Sequence, residues 1–329
     1  MLKTLASLVG IDIAKATLDL ACQTGPDKYR TRSKLPNSPA GFALLVTWLR
    51  THACPDAWVV MEATNVYHEA VATFLHAHGY RVCVANPKQV AAYAESELSR
   101  TKTDKTDAKL IVRFGLSHEP RLRAWQPPTP AERTLIALTR RLDDLKSLHQ
   151  MERNRLDTAD PAVHASLQAV LATLDDQIKA TEASLSQYID DDPDLRKRRD
   201  LLVGIKGISD LTAFRLMAEL GDIRRFGDVR AVVAFAGLNP ALRQSGAWRG
   251  HVRISKIGST ALRAALYMPA VVAMQYNPAI RAMAERLRAR GKPGKVIVVA
   301  AMRKLLHIAY GVLKSGRAFD PKAGLTAMG

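Results

Sequence analysis

The sequence predicts an α/β domain, a helical hairpin and a mainly helical basic domain, in that order. Three observations predict it. The first 125 residues alternate short apolar β-type runs with amphipathic helical ones. A proline-rich break, "WQPPTPAE" at 125–132, leads into two long polar patterns studded with leucine. From Arg196 onward the chain carries 25 lysines and arginines against 7 aspartates and glutamates, whereas residues 1–195 hold 23 against 24. The expected boundaries are therefore 1–125, 126–195 and 196–329, and 329 residues leave ample chain for real cores.

"SLVGIDIA", "TLDLACQT" and "KYRTRSKL" read as three strands, with "TGPDK" turning between the last two. A helix over "PAGFALLVTWLRTHA" precedes a strand "AWVVMEA" and a helix "VYHEAVATFLHAHG" closed by Gly79. The strand "RVCVANP" stops at Pro87, and two further helices complete the region. Three strands followed by helix–strand–helix–strand–helix is a ribonuclease-H-like order. The competing flavodoxin-like order lacks the opening three-strand meander. Beyond the break, residues 131–158 and 162–189 form an antiparallel hairpin around "ADPAV". Leu167, Leu171, Leu174 and Ile178 give it one narrow apolar stripe, the pattern of a coiled-coil spacer or dimerisation arm. The acidic "IDDDPDL" then gives way to "RKRRD" and a helical domain broken by Gly/Pro near 237–250 and 291–294.

A net charge of +17 and a pI near 10.0 point to a polyanionic partner. No lipidation motif or long amphipathic basic helix favours a membrane surface instead, and no apolar run approaches the ~20 residues of a membrane span. "MLKTLASLVGIDIA" runs into a strand pattern rather than a signal peptide. Cys22, Cys54 and Cys83 show no CxxC or Cys/His metal spacing and read as buried, reduced thiols of a cytoplasmic protein.

Four acids stand out. Asp12 interrupts a buried strand, where a lone carboxylate is costly without a cation or partner. Glu62 ends "WVVMEA" at a strand's C-terminal edge, the usual ligand edge of α/β sheets. Asp104 and Asp107, in "SRTKTDKTDAKL", are three apart and share one helix face, though Asp104 also suits a helix cap. Lys102, Lys105 and Lys109 surround them. In a ribonuclease-H-like sheet the elements bearing these acids converge, and four such carboxylates suit Mg²⁺ or Mn²⁺. Two ions about 3.5–4 Å apart clamp the attacking and leaving oxygens of a phosphodiester. The bland alternative is a satisfied core aspartate and two surface acids. Glu69, Glu95 and Glu97 read as helix surface.

In the basic domain "LLVGIKGISDLTAFRLMAEL" reads as helix, glycine hairpin, helix, resembling a helix-hairpin-helix backbone binder. Gly204 and Gly207 would let the backbone and Lys206 approach phosphate, and Ser209 or Asp210 would cap the second helix. Ser245 precedes Gly246 in an irregular stretch, with Arg243, Arg249, Arg253 and Lys256 around it. Such a serine is either a turn residue or a nucleophile toward phosphate whose developing charge the arginines stabilise. No neighbouring His, Asp or Glu completes a serine triad. Trp248 is a candidate base-stacking residue, whereas Tyr267 reads as packing.

Together "GIDIAKATLDL", "EAT", "RTKTDKTDAKL", "FAGLNPALRQSG", "KIGSTALRAALYMPA" and "MRKLLHIAYGVLKSG" resemble the DEDD-type transposases of insertion-sequence family 110, relatives of the Piv invertase. The resemblance spans nearly the full chain. It implies a RuvC-like N-terminal domain, a coiled coil and a C-terminal transposase domain. Its tetrad falls on Asp12, Glu62, Asp104 and Asp107, and its nucleophilic serine on Ser245. That serine forms a covalent link to a DNA phosphate, in a composite site whose metal-bearing carboxylates come from the RuvC-like domain. The resemblance also implies donor and target DNA as substrates and a noncoding bridge RNA as guide. It implies dimers that pair into tetramers, acting on the bacterial nucleoid. Where the family commonly has glycine after "EAT", this chain has Asn65, a residue that tolerates left-handed backbone angles. Two other readings are a hydrolytic junction nuclease with Ser245 as bystander, and a non-catalytic nucleic-acid-binding protein.

Overall fold

The structure, a computed structural model, describes residues 6–97, 104–241, 244–245, 248–249 and 253–320. The chain divides into two compact units, Met1–Pro127 and Pro128–Gly329.

The first unit follows the ribonuclease-H-like order. Strands β1 (Ala6–Ile13), β2 (Thr17–Gly25) and β3 (Lys28–Pro36) precede α1 (Pro39–His52), β4 (Ala53–Glu62) and α2 (Glu69–Ala77). Then come β5 (Arg81–Ala85), α3 (Pro87–Ser96) and α4 (Asp104–His118). The sheet order is β3-β2-β1-β4-β5, antiparallel on the β3 side of β1 and parallel on the β4 side. Central β1 and β4 are covered on both faces, which is why they read as near-continuous apolar runs, whereas edge strand β3 alternates exposed and half-buried residues. On one face, Val9, Ile11, Leu20, Cys22, Val59 and Met61 pack with α1 and α2. On the other, Leu8, Ala21, Trp58 and Val60 pack with α3 and α4 through Val90, Ala108, Ile111 and Val112. Trp125, inside the proline-rich break, still belongs to this unit: its N–H donates to the Val82 carbonyl at 2.8 Å.

In the second unit α5 (Pro130–Leu156) and α6 (His164–Asp191) form the hairpin. Thr129 and Glu132 close a capping box at its entry. Lys146–Glu182 (2.7 Å) and His149–Asp175 (3.3 Å) pair in opposite sequence directions, so the helices are antiparallel. The stripe Leu167, Leu171, Leu174 and Ile178 is half-buried. At the hairpin's base, Leu135, Leu142, Leu145, Leu185 and Ile189 are fully buried, and most of them join the main core of the unit. That core is built from α7 (Pro193–Val203), α8 (Asp210–Leu220), α9 (Val229–Phe235) and three later helices. Between α9 and those helices lie four two-residue strands: β6 (Pro240–Ala241), β7 (Gln244–Ser245), β8 (Trp248–Arg249) and β9 (Arg253–Ile254). The closing helices are α10 (Thr260–Tyr276), α11 (Pro278–Ala289) and α12 (Gly294–Ser315).

One expectation is corrected here. Helix α12, at 22 residues, is long and apolar enough to cross a membrane by length and composition. The sequence hid this because Lys295, Arg303 and Lys304 punctuate the run. Ile297, Ala301, Leu305, Leu306 and Ala309 are buried in the unit's core, so α12 is a core helix.

Candidate active site

Strand register sorts the acids. Val9 and Ile11 pair with Val59 and Met61 on the α1 face, so the alternate residues, Gly10 and Asp12 of β1 and Val60 and Glu62 of β4, face α4. Asp12 and Glu62 each lie one residue beyond the Ile11–Met61 pair, side by side at the C-terminal edge of parallel strands. Both are half-buried.

Helix α4 is brought there by two glycine-sized contacts. A methyl group on Gly10 would stand 2.6 Å from the Ala108 carbonyl oxygen and 2.9 Å from the Val112 nitrogen. One on Gly115 would stand 2.6 Å from Leu8. Ala108 over Gly10 and Gly115 over Leu8 make α4 antiparallel to β1. Its first turn, Asp104 to Asp107, therefore extends toward the Asp12 and Glu62 end. The described part of the helix begins at Asp104. Asp107 is half-buried; for Asp104 and Lys105 the backbone alone is described, and Lys102 lies outside the described residues. Among the described residues no three His, Cys, Asp or Glu side chains converge into a metal-sized group. As a donor set, carboxylate oxygens gathered on one sheet face fit a hard divalent cation. Glu69, Glu95 and Glu97 are exposed.

A fifth acid escaped sequence reasoning. Asp19 pairs directly across from Asp12 and is only 6% exposed. One carboxylate oxygen accepts from the Lys34 N–H at 3.3 Å, where β3 bulges and Lys34 takes φ +58°. The signal was present in "TLDL", an acid inside an apolar strand, as telling as Asp12. Past Glu62, Asn65 adopts φ +44°, the left-handed geometry that glycine would take at that turn.

Ser245 lies in the short strand β7, not in the irregular stretch expected. β6 pairs with β9, and inside that ladder β7 pairs with β8, Gln244 opposite Arg249 and Ser245 opposite Trp248. Two-residue strands are too short to carry a period, so the sequence did not reveal these ladders. For Ser245, Arg249 and Arg253 the backbone alone is described; Arg243 lies outside the described residues.

The segments before β6 and after β9 are held by groups not singled out by sequence. The Arg263 guanidinium donates to the carbonyls of Ala236 (3.0 Å) and Gly258 (3.2 Å) and to Thr260 Oγ1 (2.9 Å). Ser259 Oγ donates to Glu219 Oε2 at 2.6 Å while accepting from the Leu262 N–H. Gly258 has φ +147°, and a side chain there would strike the Phe235 carbonyl oxygen at 2.2 Å.

The remaining basic positions differ in setting. Lys109 is half-buried with its Nζ 5.6 Å from the Tyr29 ring centre. Lys206 and Lys256 are exposed, Lys256 at φ +55°. In the glycine hairpin Ser209 is the cap, accepting from the Thr212 N–H. Gly207 lets α10 approach: a methyl there would lie 2.7 Å from Ala273 Cβ. Tyr267 is 46% exposed, contrary to the packing expected of it, because α10 buries the opposite arc through Leu262, Leu266, Pro269 and Ala273. Burial raises the Cys22 and Cys83 thiols, leaving them unreactive core groups.

Comparison with known proteins finds relatives along most of the chain. Residues 9–159 match the IS110-type DEDD transposase family, and residues 199–285 match the IS116/IS110/IS902 transposase family. The pilin gene-inverting protein of Moraxella bovis is 34% identical over 318 residues, covering 95% of this chain and 98% of the relative. The transposase for insertion sequence element IS1328 of Yersinia enterocolitica is 26% identical over 95% of this chain and 98% of its own. The mini-circle putative transposase for IS117 of Streptomyces coelicolor is 24% identical over 94% and 93%. The chain belongs to the IS110 family of DEDD transposases and invertases, enzymes that act on DNA.

Proposed function

We propose that this chain is a site-specific DNA recombinase of an insertion sequence, cutting and rejoining DNA through a covalent link to Ser245. The observation that carries the reading is the acid face: Asp12 and Glu62 adjacent on one side of the sheet, with the Asp104–Asp107 turn extending toward them. Asp12, Glu62, Asp104 and Asp107 would hold Mg²⁺ or Mn²⁺, which when bound neutralises phosphate charge and orients its oxygens. Ser245 Oγ forms a bond to a DNA phosphorus. The bridging oxygen leaves, taking up one proton as the serine hydroxyl gives one up. The reverse exchange with another strand's hydroxyl rejoins DNA and restores the serine. No net hydrolysis occurs, so inversion and transposition, the activities named for the relatives, are two outcomes of one cut-and-rejoin chemistry.

The arginines that surround Ser245 in the sequence support this role, because guanidinium groups stabilise charge developing on phosphate. Arg243, Arg249, Arg253 and Lys256 supply phosphate contacts around Ser245, Lys206 supplies one at the glycine hairpin, and Lys102, Lys105 and Lys109 supply them beside the acids. Guidance by a noncoding bridge RNA rests on the motif resemblance across the whole chain. Assembly of dimers into tetramers is supported by apolar side chains exposed on the hairpin, Leu148, Met151, Val163 and Val170. The place of action is the bacterial nucleoid, in the cytoplasm.

Paired substitutions test the reading. Ser245→Ala should abolish both strand exchange and cleavage while DNA binding persists. Continued metal-dependent cleavage in that variant would make the protein a hydrolytic nuclease instead. Asp104→Asn should raise the Mg²⁺ requirement or abolish cleavage. Unchanged cleavage across a Mg²⁺ titration would remove the carboxylates from the chemistry.

A further inference from the structure

The near-neutral balance of residues 1–195 conceals two opposite parts. Residues 1–127 hold 16 lysines and arginines against 11 acids, and residues 128–195 hold 7 against 13. The first unit is therefore basic in its own right, and part of that charge is ordered by strand β3, "KYRTRSKLP". Lys28, Arg30 and Arg32 occupy alternate positions, so they share one face of the strand at a repeat of about 6.6–6.8 Å. All three are exposed, and Lys34 beyond the bulge is exposed as well. Arg30 and Arg32 pair with Cys22 and Leu20, whose side chains enter the α1-side core. The row therefore lies on the sheet face opposite Asp12 and Glu62. Because β3 is the sheet's outer strand, nothing in the sheet flanks it.

Among the described residues no carboxylate forms an ion pair with any of these four cations. The Arg30 guanidinium instead meets His52 Nδ1 at 3.3 Å, at the C-terminal turn of α1 that also carries Arg50. Guanidinium has only donors, so that ring nitrogen accepts. An arginine tied to an imidazole rather than a carboxylate keeps its full charge and is held in place. The one acid in the adjoining turn is Asp27. A row of unneutralised cations at regular spacing fits a polyanion with regularly spaced charge.

We propose that Lys28, Arg30 and Arg32 form a second DNA contact, a phosphate track on β3 remote from the acid face. The occupant is duplex DNA backbone, since the family acts on DNA and a row of exposed cations at a regular repeat matches regularly spaced phosphates. The inference is independent of the role given to Ser245. The competing use of such charges is to guard an edge strand against pairing with other chains, which charge of either sign achieves.

The experiment exploits that difference in the full-length protein. Binding to duplex DNA is measured from 50 to 200 mM salt for wild type, Lys28→Ala/Arg30→Ala/Arg32→Ala and Arg30→Glu/Arg32→Glu, with circular dichroism and sizing as fold controls. The alanine variant should flatten the plot of log affinity against log salt by about 2–3, roughly 0.9 per lost phosphate contact. The glutamate variant, whose edge stays charged, should bind more weakly still. Covalent adduct formation at saturating DNA should be unchanged in both. Wild-type binding and slope in the glutamate variant would overturn the proposal. Self-association of the alanine variant with an unchanged slope would overturn it too, leaving an edge guard. A slope change on an RNA hairpin but not on duplex DNA would overturn the assignment to DNA.

Discussion

Substituting Gly10 by alanine tests the placement of α4 on the sheet. The added methyl would stand 2.6 Å from the Ala108 carbonyl oxygen and 2.9 Å from both Val112 N and Cγ2. All belong to α4, and two are backbone atoms, so rotamer changes cannot relieve the contact. Restoring ordinary carbon–oxygen separation requires the helix to move by roughly 0.5–1 Å, and overpacking of this kind costs about 1–3 kcal/mol. The same shift carries Asp104 and Asp107 away from Asp12 and Glu62. A misplacement near 1 Å in a catalytic constellation costs on the order of 10²-fold in rate. Urea denaturation should therefore show a loss of about 1–3 kcal/mol. Strand cleavage by the folded fraction at saturating Mg²⁺ should fall by about 10²-fold. Gly25→Ala is the control, since its nearest neighbour would be 4.0 Å away, and it should change neither. A stable Gly10→Ala protein with wild-type cleavage would refute both the close approach and the role of the α4 acids.

Asp19→Ala removes the acceptor of the Lys34 N–H and should cost about 1–3 kcal/mol by chemical denaturation. Asp19→Asn, which keeps an acceptor, should recover most of it. Arg263→Ala deprives the Ala236 and Gly258 carbonyls of their donor. It should lower strand exchange more than stability, measured by exchange assay against melting temperature. His307 is held below its usual pKa by burial and by Arg303 and Lys304, and among the described residues its Nε2 has no hydrogen-bond partner. The unfolded chain then binds the extra proton more readily, so stability should fall as pH drops below about 6.5. His307→Gln should flatten that fall, and an unchanged pH profile would remove His307 from it.

The first unit was legible because its elements are long and its strand pattern opens with a meander. Asp12 and Glu62 could be placed at strand ends, but only register shows that they share a face. Asp19 went unread because a strand acid announces itself without saying which acid lies opposite. The charge on β3 was visible as composition and invisible as geometry until β3 proved to be the sheet edge. In the second unit the long helices were readable from their period. The short ladders β6–β9 and β7–β8 were not, because two-residue strands carry no repeat. The packing of Gly207 against Ala273 was not legible either, because no local pattern says which helix a turn glycine will meet.

The most direct test of the central claim is to trap the protein on a nicked DNA substrate, digest the adduct and sequence the modified peptide by mass spectrometry. The account predicts a nucleotide phosphate on Ser245, formed only with a divalent cation and absent when Asp104 is Asn. A cut substrate with no protein-linked DNA, or a link at any other residue, would contradict it.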